Sequence, residues 1–204
     1  MNQVIHAAVR RDVARTEQAL RALPAGDVVR ARQVRTAWLN LVRELTHHHE
    51  AEDSIAWPFL ASRGFDAALL EEMEAEHVAM KHALTSSSAA IDAVVAAPTV
   101  ASATAAADEV ARASEVINAH LAHEEADVEG IMGGLEDDPE WKKAAGRMRP
   151  PSIVDAANAL AWMQDGAGER ERSSLRATIP GPVVTILTLL LARRYRREVA
   201  PVWR

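Results

Sequence analysis

Two stretches of this chain set a histidine and a glutamate four residues apart within an apolar helical stripe. The first is Val34, Trp38, Leu41, Leu45, His48, Glu52, Ile55 and Phe59, spaced alternately by four and three. The second is Ala106, Val110, Ala113, Ile117, His120 and Glu124. This spacing is the a/d seam of a helix packed against helices. Residues i and i+4 share a face about 6 Å apart along the axis, so a His and a Glu so placed can reach one centre. Two more seams each carry one histidine: His6, Val9, Val13, Thr16, Leu20, Leu23, and Leu70, Met73, His77, Met80, Leu84.

Breakers cut the chain into lengths that suit these seams. The spacing predicts a first helix over 2–23, stopped by Pro24-Ala25-Gly26, and a second capped by Asp27 and running to Leu60. Pro58 should kink or end that second helix, and Arg63-Gly64 marks the turn. A third is expected over 66–96, and a fourth from Thr99 or Ser102 to Gly133-Gly134. Short connections between long helices give an all-α, up-down-up-down four-helix bundle over 1–134. Residues 135–204 read as a C-terminal helical extension, packed on the bundle or on a partner subunit. It has helices over 137–148 and 152–164, a linker rich in Gly, Glu and Arg, and a last helix from Pro180. That last helix is apolar on most sides, so it should be covered by the bundle or by a second copy in a homodimer.

Composition narrows the chemistry. There is no cysteine, which excludes thiolate zinc, iron–sulfur and disulfide frameworks. The N-terminus is charged and lacks the apolar core of a signal peptide. The most apolar stretch, 179–192, is shorter than the roughly 20 residues of a membrane span. A cytoplasmic protein is therefore expected. The net charge of −6 speaks against nucleic acid. Arg193, Arg194, Arg196 and Arg197 are read as solvated charges near a helix C-terminus.

The six seam residues also agree in height. His77 lies about 17 Å from the Gly64 corner, and His48 and Glu52 lie at a matching depth on the other side of it. His6 and His120 fall at the same level when counted from their own corners. One seam histidine is an ordinary core residue, but two buried carboxylates in one layer are costly without cations. Nitrogen and oxygen ligands in a helical bundle point to iron, then manganese, with zinc third. His47 and His49 sit about 100° to either side of the second seam. With His123 they are expected to be partly exposed flank residues, the alternative being hydrogen-bond donors or proton relays. Asp53 and Glu125 are expected to face solvent or to accept a hydrogen bond from a ligand imidazole. Trp38 and Trp57 are packing residues by default. Glu44-x-x-His47 and Glu74-x-x-His77 fit a ferritin-like pattern, but Glu44 and Glu74 lie off the seams, and His6, His120 and Glu124 are left unexplained.

The order His, His-x-x-x-Glu, His, His-x-x-x-Glu, in "IHAAVRRDVART", "HHHEAEDSIAWPFL", "EAEHVAMKHAL" and "HLAHEEADVE", resembles the hemerythrin-like, HHE cation-binding proteins. The tail "RRYRREVAPVW" looks like that of actinobacterial members. The resemblance implies two iron ions joined by carboxylate and oxo bridges, held by His6, His48, Glu52, His77, His120 and Glu124. Oxygen carriers of the family have a further histidine four residues after the third-helix ligand, and here that position is Lys81. His82 lies about 140° from His77 around the helix. Two octahedral irons offer about twelve positions, of which about ten would be filled, leaving roughly one open on each unless Lys81 or another group reaches in. The implied function is binding or sensing of oxygen, nitric oxide or peroxide. The alternatives are a catalase-like enzyme decomposing hydrogen peroxide and a metal-regulated interaction module.

Overall fold

Pro24, Gly64 and Pro98 interrupt the helical pattern, and the chain reverses at all three. The computed structural model describes residues 2–135 and 137–204. Helix α1 spans Asn2–Arg21, α2 Val28–Ala51, α3 Trp57–Ser62, α4 Ala67–Ala96 and α5 Val100–Asp127. Gly26 and Gly64 supply the left-handed backbone of two corners, at φ 83° and 79°. The following helices start on side-chain caps. Asp27 accepts from the Arg30 amide, Asp66 accepts from the Ala68 amide, and Thr99 and Ser102 form a reciprocal capping box. The Gly26 amide donates to the Pro98 carbonyl at 2.7 Å, which ties two corners together at one end.

The principal helix pairings are α1 with α2, α2 with α4, α4 with α5 and α5 with α1, a closed ring of four. The seams meet inside it. Val9, Val13, Val34, Trp38, Leu41, Leu45, Met80, Val110 and Ile117 are buried in one large apolar cluster. A smaller cluster of Ala56, Trp57, Leu60, Leu70, Met73, Val128, Trp141 and Ala144 fills the other end.

The second seam departs from its expected register. Between α2 and α3 the chain makes a π-helical turn over Glu52–Ala56, in which the Trp57 amide bonds to the Glu52 carbonyl. The turn lies just ahead of Pro58, whose ring would meet the Ser54 carbonyl in an unbroken α-helix. One extra residue rotates everything after it by about 100°. Ala56 and Leu60 are therefore buried, while Ile55 and Phe59, the expected seam residues, are only half-buried.

The tail brings two further corrections. The fourth helix does not run unbroken to Gly134. It ends at Asp127, and the chain resumes as α6 (Glu129–Gly134) after Val128, which is buried in the smaller cluster. Helices α7 (Pro139–Ala145) and α8 (Ile153–Gln164) lie where Pro139 and Ser152 placed them. The expected linker is instead helix α9 (Glu169–Thr178), with Glu169 and Glu171 in its first turn and Arg176 in its last, both favourable to the helix dipole. It was unreadable because only Leu175 is buried, so no apolar stripe announces it. Helix α10 spans Gly181–Leu190. Val184 is buried, but Val183, Ile186, Leu189 and Leu190 are exposed. The Arg196 guanidinium caps the Leu189 carbonyl at 2.8 Å.

The tail is anchored on α1. The Trp162 indole is buried and donates to Asp12 Oδ2 at 2.9 Å, and Arg11 donates back to the Trp162 carbonyl at 3.0 Å. Asn158 accepts from the Tyr195 amide, and the Tyr195 hydroxyl donates to Asp165. Truncating a buried tryptophan costs about 3–5 kcal/mol. Urea denaturation of Trp162→Ala should therefore show a stability loss of about that size, whereas a loss under ~1 kcal/mol would mean the tail is not anchored there.

Candidate metal centre

Between the two apolar clusters lies a single polar layer. His6 enters from α1, His48 from α2, Glu52 from the first residue of the π turn, His77 from α4, and His120 and Glu124 from α5. All six are buried, and both glutamates are fully so. The sequence seams thus bring together every one of the six residues expected at this level.

The imidazoles form two facing pairs. His6 Nε2 lies 3.2 Å from His48 Nε2, and His77 Nε2 lies 3.2 Å from His120 Nε2. The carboxylates span the pairs. Glu52 Oε1 is 3.3 Å from His48 Nε2, and its Oε2 is 3.8 Å from His77 Nε2. Glu124 Oε2 is 3.2 Å from His6 Nε2 and 3.7 Å from His120 Nε2. Glu52 Oε2 and Glu124 Oε2 have no hydrogen-bond donor.

The opposite edge of three rings is fixed by carboxylates. His6 Nδ1 meets Glu125 at 2.9 Å, His77 Nδ1 meets Asp53 at 2.7 Å, and His120 Nδ1 meets Glu76 at 2.8 Å. An ionised carboxylate only accepts, so these Nδ1 atoms carry the hydrogens. A ring held this way and left neutral presents its Nε2 lone pair to the interior. His77 and His120 therefore face each other lone pair to lone pair. Such a pair is repulsive unless a cation or proton sits between them, and the donor-free carboxylate oxygens are what a cation would need.

Charge balance points the same way. Burial, and then the neighbouring Glu124, push Glu52 well above the usual carboxylate range. Burial also opposes charge on Glu124, but the His6 imidazole 3.2 Å away and the nearby His48 outweigh it and hold its pKa down. Burial lowers the His48 imidazole to about 3. Burial acts against a charged His6 as well, yet its bonds to Glu124 and Glu125 raise it overall. Without a cation the layer needs protons on residues whose burial resists charge.

Asp53 and Glu125 accept from imidazoles, the second of their two expected roles. Glu125 is itself clamped by Arg10 at 2.6 and 3.1 Å. Glu76 was not foreseen. It holds both His120 and the half-buried His123, at 2.8 and 2.9 Å. Asn2 was also missed, although it lies four residues before His6 on the same face. Its amide donates to Glu124 Oε1 at 2.9 Å and to Glu52 Oε1 at 3.4 Å, joining the two carboxylates. Lys81 and His82 are exposed, and so is Glu74, while Glu44 pairs with Arg43 and Arg194 rather than with the layer. The ferritin-like alternative therefore has no centre.

His49 overturns its expectation. It is buried rather than partly exposed, stacked on His77 with ring centroids 4.1 Å apart. Helix α2 sits between α1 and α4, so its inward arc covers two consecutive residues. His48 turns towards α1 and His49 towards α4. An a/d seam is narrower than the arc a bundle helix can bury. Trp57, turned inward by the π shift, stacks on His77 from 6.1 Å.

A ring of four helices around a layer of imidazoles and bridging carboxylates defines a helical-bundle metal-binding domain. The description "Hemerythrin HHE cation binding domain" matches residues 4–131, more than half of the chain. The protein belongs to that family. Neither the curated proteins nor the solved structures give a match.

Glu52 allows a test of the charge argument on metal-free protein. Its folded pKa is raised above the unfolded one, so it stabilises the fold at low pH, and that contribution is lost as pH rises towards the folded value. Glutamine does not titrate. The melting temperature of Glu52→Gln minus that of the wild type should climb between about pH 5 and 8. A flat difference would remove Glu52 from its buried, protonated state.

Proposed function

We propose that the chain is a di-iron protein that binds or senses a small ligand such as oxygen, nitric oxide or peroxide. In this reading His6, His48, His77 and His120 would hold the two irons through Nε2, and Glu52 and Glu124 would hold them through their carboxylates. Residues 1–134 form the cation-binding unit, and 135–204 are its helical extension. The observation that carries the reading is the opposed Nε2 pair of His77 and His120, with both Nδ1 hydrogens committed to carboxylates. Iron is preferred to manganese and zinc because the donor set is all imidazole and carboxylate within a helical bundle.

When bound, the iron pair supplies redox-active Lewis acidity and open coordination positions for a small ligand. The chain's own residues do the rest. Glu125, Asp53 and Glu76 hold the imidazoles in one tautomer. Asn2 orients the two carboxylates. The apolar clusters on either side exclude water.

Catalase-like disproportionation of hydrogen peroxide is the competing reading. Exposure of Lys81 supports it, since that side chain leaves the interior free. Oxygen evolution from peroxide, lost in His48→Ala, would favour it over reversible binding.

Protein purified without added metal should contain two irons per chain and show oxo-to-iron charge-transfer absorption in the near ultraviolet. Chelation should lower its melting temperature, because Glu52 and Glu124 lose their counter-charge. A protein with no metal and no uptake of ferrous iron would end the di-iron reading.

A further inference from the structure

We propose that α10 and the arginines that follow it form a docking face for an anionic lipid surface, on which the protein lies without crossing it. The proposal is independent of what the polar layer binds.

The ten residues of α10 carry no charged side chain. One side of the helix faces the protein: it packs on α8, with Val184 buried and Leu187 against the main core. The other side is bare. Val183, Ile186 and Leu190 form one stripe at steps of three and four, with Leu189 beside it, and they are 44%, 56%, 66% and 57% exposed. A surface helix ordinarily turns such a stripe inward and a charged one outward. The polar groups of α10 are occupied within the helix. The Thr185 hydroxyl donates to the Gly181 carbonyl at 3.0 Å and that of Thr188 to the Val184 carbonyl at 2.9 Å. Pro182 sits in the first turn, where it removes a free N–H. A helix that asks so little of water suits an apolar medium. At about 15 Å it is half the thickness of a bilayer core, so it lies in the interface rather than through it. No single helix among the described residues is long and apolar enough to cross.

Charge says which apolar medium. Residues 169–204 carry eight arginines against three glutamates, a net +5 in a chain whose formal net charge is −6. The Arg196 guanidinium reaches back to the Leu189 carbonyl at 2.8 Å, so a cation stands at the edge of the apolar stripe. Arg172 and Arg176 meet Glu169 and Arg194 meets Glu44, whereas Arg193 and Arg197 are exposed and, among the described residues, have no carboxylate partner. An apolar stripe bordered by unpaired arginines matches a layer of acyl chains under anionic headgroups. The acidic remainder of the chain is repelled by the same surface, which turns this face towards it. A second copy of the chain fits less well. Four side chains fall short of the roughly 20–30 residues a side of a standard interface, and pairing the face with itself adds a second set of arginines to the first.

The test floats the full chain with vesicles of phosphatidylcholine mixed with phosphatidylglycerol, and with vesicles of phosphatidylcholine alone. The wild type should rise with the mixed vesicles only, and added salt should weaken the association. Arg193→Gln with Arg197→Gln should weaken it about fivefold for each charge removed. Ile186→Ser with Leu190→Ser should weaken it on the order of 30-fold. All four positions are exposed, so both variants should keep the wild-type melting temperature, and the arginine pair alone decides the matter if the serine pair does not fold. Failure of the wild type to rise with mixed vesicles, or equal flotation of the folded variants, would overturn the proposal. So would a stable dimer in sedimentation that the serine pair converts to monomer, since the face would then belong to a second copy.

Discussion

Two fully buried carboxylates in one layer set the terms for everything else in this molecule. Glu52 and Glu124 approach one another across the bundle axis, each between imidazoles from two helices. Breaking a buried charge from its partner costs about 3–5 kcal/mol, so the layer is tolerable only with compensating positive charge. Protons can provide it in part, at the expense of holding Glu52 far from its ordinary pKa. Cations provide it without that distortion. The apolar clusters above and below sharpen the requirement, because a site closed to water screens charge poorly and strengthens attraction and repulsion alike.

The π turn is the local device that puts three residues to use at once. Glu52 opens the turn and points inward, and Asp53, the next residue, bonds to His77 Nδ1. Trp57 closes the turn and lays its ring over the same imidazole. In a regular α-helix the seam would have continued to Ile55 and Phe59. The extra residue turns Trp57 towards His77 and buries Ala56 and Leu60 beneath it. Such widened turns recur where a helix must present side chains that a 3.6-residue period would separate.

The six layer residues were legible because each helix repeats its own apolar period, and a polar residue within that period has nowhere to go but inside. Helix ends were legible because Pro24, Gly64 and Pro98 act locally. Glu76 was not legible, since its role is to meet His120 and His123 across to another helix, and no spacing along α4 reports that. His49 was lost because a narrow seam was assumed for a helix with neighbours on two sides. Helix α9 was lost because its stability rests on dipole-compensating charges and one buried leucine rather than on a stripe.

The outer carboxylates show why the site and the bundle cannot be separated. His6 on α1 is oriented by Glu125 on α5, His77 on α4 by Asp53 in the π turn, and His120 on α5 by Glu76 on α4. In each case the imidazole and its partner come from adjacent members of the helix ring. Three of the four imidazoles are thus held in place by a side chain from outside their own helix. Sliding one helix by a residue would misdirect its own ligand and release a neighbour's. Binding at the centre therefore draws on the whole four-helix packing, and a cation there would stabilise that packing as much as it is stabilised by it.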